Sequence, residues 1–201
     1  MNTKNRKGTV SLFVKSVFEM IETILISVFV ISLIFSYLLC ISTVKGDSMK
    51  ETLQPQDKVI ALRTFRNLET GDIVIANADK SVTFSESGEL QTDKGIDKVI
   101  IKRVIATGGQ TIDIDFISGN VYVDGEKIFE DYVTGLTHND EGAFTGKYPF
   151  TVPDGYVFVL GDNRRISKDS RSSEIGLISE DDIIGRVLFR IYPLDKFGKI
   201  K

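Results

Sequence analysis

One serine and a small set of candidate bases are the residues of this chain whose types could support chemistry. Ser48 lies in the stretch Gly46-Asp-Ser-Met49, directly after a long apolar run. A serine hydroxyl is a weak nucleophile, so Ser48 can act in covalent catalysis only if an adjacent base takes its proton. Without such a base, the stretch is more typical of a plain turn at the end of a helix.

Histidine is the usual base for a serine, and His138 is the only histidine in the chain. It lies in a polar, Gly-rich loop, which is more typical of a solvated histidine than of a catalytic one. The chain also lacks the Gly-x-Ser-x-Gly elbow, because Lys50 stands where the second glycine would be. The Gly-Asp-Ser start resembles the GDSL hydrolases, but their C-terminal Asp-x-x-His is absent.

Lysine is the other known partner of a nucleophilic serine. A free lysine amine has a pKa near 10.4, which full burial can lower by about 3–5. Lys102 fits this requirement because it lies in the apolar run Val99-Ile-Ile-Lys-Arg-Val-Ile105. Strand alternation places Lys102 and Arg103 on opposite faces, so that one can be buried while the other is exposed. An edge-strand lysine that points to solvent is the alternative interpretation.

An uncharged apolar run, Thr23–Val44, precedes Ser48. It is long enough to span a bilayer core, which takes about 20 residues, and too long for the apolar core of a cleavable signal peptide, which has about 7–15. The basic residues before it predict a cytoplasmic N-terminus: Lys4, Arg6, Lys7 and Lys15. We therefore predict a cytoplasmic or interfacial segment (1–22), a transmembrane anchor helix (23–44) and an extracytoplasmic domain (45–201).

The rest of the chain alternates short β-prone runs with turn signals. Asp124-Gly125, between two such runs, is typical of a hairpin turn because both positions favour positive φ. The polar residues 79–98 are predicted to form a hairpin arm. The predicted strands are 58–62, 73–76, 99–105, 111–116, 120–123, 126–129, 156–160 and 183–192. This pattern predicts a mainly β fold, an antiparallel β-sheet domain preceded by one transmembrane helix.

The composition limits the possible functions. The chain has 201 residues, 42% hydrophobic and 26% charged, which suits a packed domain and argues against global disorder. Its net charge of −3 gives no indication of a nucleic-acid partner. Cys40 is the only cysteine, so neither an intrachain disulfide nor a cysteine-based metal site is expected.

Four sequence blocks occur in a characteristic order behind the apolar run. They are Gly46-Asp-Ser-Met49 with Thr52-Leu53, Gly71-Asp-Ile-Val74, Lys102-Arg-Val-Ile105, and Gly161-Asp-Asn-Arg164 followed by Ser167-Lys-Asp-Ser-Arg171. In order and arrangement they resemble the bacterial type I signal peptidases. The last block is the most specific, and the resemblance covers the apolar run and nearly all of the following domain.

The resemblance implies a role for each matching residue. Ser48 would be the nucleophile and Lys102 the general base, with no metal or organic cofactor. Gly46 supplies no hydroxyl to the oxyanion hole, so the Ser48 backbone N–H would be a main donor. The resemblance also implies supporting roles: Ser167 would hold the lysine ammonium, Asp169 and Arg171 would form an ion pair, Arg103 would be structural, and residues 161–164 would shape a loop.

The implied activity is the endopeptidase removal of signal peptides from exported preproteins on the outer face of the cytoplasmic membrane. The substrate would bind extended, as an added strand, with small residues at the first and third positions before the cut. Ile100 and Ile101 would line its pockets, unless they are plain strand core. Met49 would also contribute to substrate binding and would help to settle the site at the lipid surface. The implied partners are signal-peptide-bearing preproteins and the bilayer.

Two other functions stay open. A non-catalytic, signal-peptidase-like assembly factor for surface structures would lack the reacting pair, so the presence of Ser48 and Lys102 counts against it. A self-cleaving Ser-Lys repressor is disfavoured by the apolar anchor and the absence of a DNA-binding module. Two departures from the family pattern affect loops rather than reacting groups: Glu51 replaces a usual proline, and Ala106-Thr-Gly-Gly-Gln110 replaces Gly-x-Pro-Gly-Asp.

Overall fold

The computed structural model of the chain describes residues 3–64, 67–133 and 135–200, with side chains described from Phe13 onward. The chain divides into two compact units, Met1–Leu39 and Cys40–Lys201. The basic residues Lys4, Arg6 and Lys7, which predict the orientation of the N-terminus, have side chains that lie outside the described residues.

The first unit is built on one long helix, α1 (Thr3–Tyr37). Within α1, the segment Phe13–Tyr37 has a mean hydropathy of 2.3 and is long and apolar enough to cross a membrane. The predicted end of the anchor helix at Val44 is wrong, because α1 ends at Tyr37. The helix begins well before Thr23, and residues 39–43 form a strand, in which the β-branched Ile41 and Thr43 are favoured.

The second unit is made of short strands. In chain order the strands of the described residues are β1 (Leu39–Thr43), β2 (Lys58–Leu62), β3 (Ile73–Asn77), β4 (Lys80–Phe84), β5 (Leu90–Lys94), β6 (Val99–Thr107), β7 (Thr111–Asp115), β8 (Asn120–Val123), β9 (Glu126–Lys127), β10 (Phe150–Thr151), β11 (Tyr156–Leu160), β12 (Ile178–Ser179), β13 (Ile183–Tyr192) and β14 (Gly198–Lys199).

The main sheet runs in the order β1-β2-β13-β3-β6-β11-β12, and β14 pairs with β13. The pairs of β6 with β3 and with β11 are antiparallel, so β6 lies inside the sheet with a neighbour on each side. A smaller sheet has the order β10-β7-β8-β9, and β4 pairs with β5 alone. The structure confirms the predicted fold class, a mainly antiparallel β domain after one long apolar helix.

The hairpins form where the turn signals predict them. Asp124 and Gly125 both have positive φ, at 54° and 81°, and they join β8 to β9. The polar arm is the β4–β5 hairpin, whose strand β5 is exposed along its whole length. The predicted strand 126–129 is shorter in the structure, since pairing with β8 ends at Lys127.

Adjacent residues of β6 face different parts of the core. Ile101 packs against the cluster that contains Met49 and Leu53, whereas Ile100 packs against the cluster that contains Val74 and Val104. This alternation is expected for an inner strand with apolar groups on both faces. It places Lys102 and Arg103, the next two residues of β6, on opposite faces of the sheet.

Candidate active site

Ser48 and Lys102 meet at the centre of the candidate site. The Lys102 Nζ donates a hydrogen bond to the Ser48 Oγ at 2.7 Å, although the two residues are 54 positions apart in the chain. Lys102 is held on β6, where it pairs with Val74 of β3, and only 4% of its surface is exposed. The half-buried Ser48 lies in the turn that follows β1. The distance between the two side chains is one at which a proton can pass between them.

Burial changes the protonation of Lys102. Removal of the amine from water lowers the pKa of Lys102 to about 8, and the buried carboxylates of Asp169 and Asp162 oppose part of this decrease. A lysine with an ordinary pKa is almost entirely protonated at neutral pH, whereas Lys102 has a substantial neutral fraction just above it. The amine can therefore accept a proton from Ser48 within a physiological pH range.

Arg103 is also buried, which corrects the expectation that only one residue of the pair is shielded from water. Its guanidinium binds Asp162 through two hydrogen bonds, Nε to Oδ1 at 2.9 Å and Nη2 to Oδ2 at 2.7 Å. It also donates to the Gly71 carbonyl at 2.8 Å and lies 3.8 Å from the centre of the Tyr132 ring. Opposite faces of β6 are both covered, so alternation separates the two cations without exposing either.

Asp162 links three parts of the chain. Besides Arg103 of β6, it accepts a hydrogen bond at 2.5 Å from the Oγ1 of Thr52, which lies shortly after Ser48. The Ser48 turn, strand β6 and the loop after β11 are thus connected by one buried carboxylate. Such a network fixes the relative positions of the groups it connects.

The loop after β11 passes directly against Ser48. The backbone N–H of Asn163 donates to the Ser48 carbonyl oxygen at 3.0 Å, and the Asn163 side chain donates to the Asp47 carbonyl at 3.2 Å. A Cβ at Gly161 would lie 2.5 Å from the Ser48 carbonyl oxygen and against the Ser167 hydroxyl. Any larger residue at position 161 would clash with these atoms, so glycine is required there.

Asp169 and Arg171 form the ion pair that the sequence predicts. The Arg171 Nε and Nη2 donate to the two carboxylate oxygens at 2.8 and 2.9 Å, and both side chains are completely buried. Asp169 also accepts from the Gly161 N–H at 3.0 Å. The pair thereby fastens the loop that contacts Ser48.

Ser167 is fully buried beside Gly161, but its Oγ has no hydrogen-bond partner among the described residues. The predicted contact between Ser167 and the Lys102 ammonium stays a prediction.

The partners that hold Arg164 and cover Arg103 could not be predicted from the sequence. Arg164 is buried and binds the carboxylate of Glu130 with two nitrogens, and it donates to the Thr137 hydroxyl at 2.7 Å. Tyr132, which covers Arg103, comes from the same segment as these two partners. Glu130, Tyr132 and Thr137 belong to a loop-like stretch without a motif, and no local pattern marks such long-range contacts.

The loop with the altered family pattern is closed by Gln110. Its side-chain oxygen accepts from the Thr107 backbone N–H at 2.9 Å, and its own N–H donates to the Thr107 carbonyl at 3.0 Å. The substitution therefore keeps a hydrogen-bonded turn at the end of β6.

A groove of about 1230 Å³ contains the Ser48 and Lys102 side chains. Ile100 and Ile101 line it, as does Met49, and both isoleucines are partly buried. Met49 is only 1% exposed and packs with Leu53 and other core residues. Its predicted role in settling the site at the lipid surface stays a prediction. The apolar side chain of Met49 packs in the core next to the groove.

His138 takes no part in the contact between Ser48 and Lys102. Its Nδ1 lies 3.0 Å from the Phe116 carbonyl oxygen, next to Gly119 in the β7–β8 region. The described part of the chain contains no group of three or more His, Cys, Asp or Glu side chains arranged to hold a metal ion.

Sequence comparisons identify known relatives of this chain. The sequence model described as "Signal peptidase, peptidase S26" matches residues 17–192. The chain is 30% identical over 199 residues to "Signal peptidase IB" of Staphylococcus aureus (strain COL), covering 91% of this chain and 93% of that protein. It is 33% identical over 162 residues to "Probable signal peptidase I-1" of Synechocystis sp., covering 78% of this chain and 73% of that protein.

A solved structure also matches. The crystal structure of a signal peptidase I from Enterococcus faecalis V583 covers 61% of this chain and 98% of its own, with 22% identity and a TM-score of 0.42. The family assignment follows from the sequence matches and their extent along the chain. The chain belongs to the signal peptidase family, peptidase S26, a family of serine proteases.

Proposed function

We propose that this chain is a membrane-anchored serine endopeptidase that removes N-terminal signal peptides from exported preproteins, with Ser48 as nucleophile and Lys102 as general base. The observation that carries the proposal is the 2.7 Å hydrogen bond between the Lys102 amine and the Ser48 hydroxyl inside a shielded site. A lysine in solvent would be protonated and could not act as a base, whereas burial lowers the pKa of Lys102 to about 8.

The reaction proceeds by acyl transfer. Neutral Lys102 takes the Ser48 proton while the Oγ attacks the scissile carbonyl carbon, and the carbonyl oxygen becomes an oxyanion that accepts from the Ser48 N–H. The Lys102 ammonium then gives its proton to the leaving amine, so that the mature protein departs and an ester to Ser48 remains. Lys102 next takes a proton from water while the water oxygen attacks the ester carbon. The bond to the Ser48 Oγ then breaks, the Lys102 ammonium returns the proton to the Oγ, and the signal peptide leaves with a free carboxyl group.

The groove beside Ser48 suits an extended polypeptide. Its lining includes Ile41, Ser42 and Thr43 of β1 and Val99–Lys102 of β6. Backbone groups along such segments can pair with a substrate strand, and the isoleucines restrict the size of the side chains that fit. With α1 as the anchor, the groove would lie on the outer face of the membrane, where exported preproteins emerge.

The proposal is tested by incubating one signal-peptide-bearing preprotein with the full chain in detergent. Wild-type protein releases the mature product, and Ser48→Ala, Lys102→Ala and Lys102→Arg do not, the last because arginine stays protonated. Circular dichroism and thermal melting of each variant serve as the control for folding. Cleavage by Ser48→Ala or Lys102→Arg at the wild-type rate would overturn the assignment. A folded wild-type chain that cleaves no preprotein would favour the non-catalytic assembly factor.

A further inference from the structure

Asn163 contacts both peptide groups that flank the Ser48 side chain. Its Nδ2 donates to the Asp47 carbonyl oxygen at 3.2 Å, and its backbone N–H donates to the Ser48 carbonyl oxygen at 3.0 Å. The Asp47 carbonyl also accepts from the Lys50 N–H at 3.2 Å, which closes the turn around Ser48. One residue of the loop after β11 therefore fastens this turn at two points.

The Asp47 carbonyl and the Ser48 N–H belong to the same peptide group. This peptide is trans, and in a planar trans peptide the C=O and the N–H point in opposite directions. A donor that fixes the carbonyl consequently fixes the direction of the N–H as well. Hydrogen bonding at the carbonyl also polarises the group and strengthens the N–H as a donor.

The Ser48 N–H itself is available to a ligand. No described residue accepts a hydrogen bond from it, although the carbonyl and the hydroxyl of Ser48 both have partners. Ser48 and Asp47 both line the groove, so a substrate bound there lies next to this peptide group. A donor that is held in place before the substrate binds is the arrangement that stabilises an oxyanion.

We infer that Asn163 is a positioning residue for the oxyanion hole, and that its side-chain amide orients the Ser48 N–H through the Asp47 carbonyl. The inference rests on the proposed function. Asn163 acts through the Asp47–Ser48 peptide. Its loss consequently weakens binding of the tetrahedral intermediate and leaves binding of the intact substrate unchanged.

The test uses steady-state cleavage of a signal-peptide substrate by the detergent-solubilised full chain. Asn163→Leu keeps the branched shape and removes the donor, and Asn163→Ala removes the whole amide. Both variants are expected to lower kcat about 10-fold. This is less than the roughly 10²–10³-fold loss caused by removal of an oxyanion donor itself, because the Lys50 N–H still donates to the Asp47 carbonyl. We expect KM to stay within about twofold of wild type, in line with a contact that acts only in the transition state.

Two further measurements separate positioning from a general structural role. The midpoint of the pH profile should remain that of the wild type, because Asn163 carries no charge and does not contact Lys102. Arg165→Ala, an exposed side chain of the same loop, is the matched control and should keep the wild-type kcat.

The outcomes distinguish this inference from the proposed function. Suppose that the wild type cleaves and Ser48→Ala does not. Any one of three results would then overturn the positioning role of Asn163: a wild-type kcat in Asn163→Leu or Asn163→Ala, a rise in KM alone, or a displaced pH midpoint. Cleavage that survives Ser48→Ala would remove the proposed function and the inference together. If Asn163→Ala fails to fold, the shape-conserving leucine variant decides the question.

Discussion

Burial of the Lys102 amine destabilises the folded chain. Its pKa in the folded chain, about 8, lies below the ordinary lysine value of 10.5, so the unfolded chain binds more protons between these pH values. The stability contribution of this residue therefore rises as the pH increases from about 8 to 10.5. Below pH 8 the amine is protonated in both states, and the full penalty of burying the charge is present.

Lys102→Met should consequently stabilise the protein while abolishing cleavage. Methionine keeps most of the aliphatic contacts and removes the buried charge, so the free energy of unfolding at pH 7 should rise by up to about 3 kcal/mol. Denaturant unfolding at pH 7 and pH 10 measures this effect, and the gain should shrink at the higher pH. A loss of stability at pH 7 would mean that the ammonium is well paired in the fold.

Ser48 and Lys102 could be singled out as candidates from their local context, and the order of the four sequence blocks gave them their predicted roles. Ser48 follows an apolar run, and Lys102 interrupts an apolar strand. The burial of Arg103 could not be predicted in this way, because it depends on Asp162 and Tyr132, which are remote in the chain. The core neighbours of Met49 could not be predicted for the same reason, since they come from several strands.

At the scale of elements, the loop after β11 supports Ser48 through the buried pair of Asp169 and Arg171. Asp169→Asn leaves the arginine buried without a compensating charge, which should cost about 3–5 kcal/mol of stability. Glu174→Gln is the matched control, because its pair with Lys168 is exposed and should contribute less than about 1 kcal/mol. Chemical denaturation of both variants gives the comparison. Equal losses would show that burial of the Asp169–Arg171 pair has no special effect.

Gly161 offers a test of the close contact between this loop and the Ser48 turn. Gly161→Ala places a Cβ 2.5 Å from the Ser48 carbonyl oxygen, so the nucleophile must move. A displacement of about 1 Å costs roughly 10²-fold in rate, and we expect a loss of that size in kcat/KM. The control is Gly198→Ala, where an added Cβ meets no atom within 4 Å. Near-wild-type cleavage by Gly161→Ala would contradict the contact.

The positions of the strands along the chain could be predicted better than their neighbours in the sheet. The runs at 58–62 and 156–160 agree with β2 and β11, because alternation and turn residues mark strands locally. Strand β1 could not be distinguished from the end of the helix, since Leu39–Thr43 continues the apolar run and its conformation is decided by its place beside β2. The position of β6 between β3 and β11 is likewise a property of the complete sheet.

At the scale of the whole molecule, the proposal requires that the domain after α1 lies outside the cytoplasmic membrane. Protease added to intact cells stripped of their walls should digest this domain, because exposed basic residues such as Arg63 and Lys80 offer cleavage sites. The N-terminal part of the chain should be protected until the cells are lysed. A cytoplasmic protein serves as the control for intact membranes. Protection of the domain before lysis would reverse the proposed orientation.

The central claim is that neutral Lys102 is the base for Ser48, and the pH dependence of kcat/KM tests it most directly. This parameter reports the pKa values of the free enzyme, so it should rise with pH to a half-maximal value near pH 8 and fall about tenfold per pH unit well below it. A preprotein whose own groups do not titrate between pH 6 and 9 is the substrate of choice. A profile that is flat across this range, or that falls as the pH rises, would contradict the account.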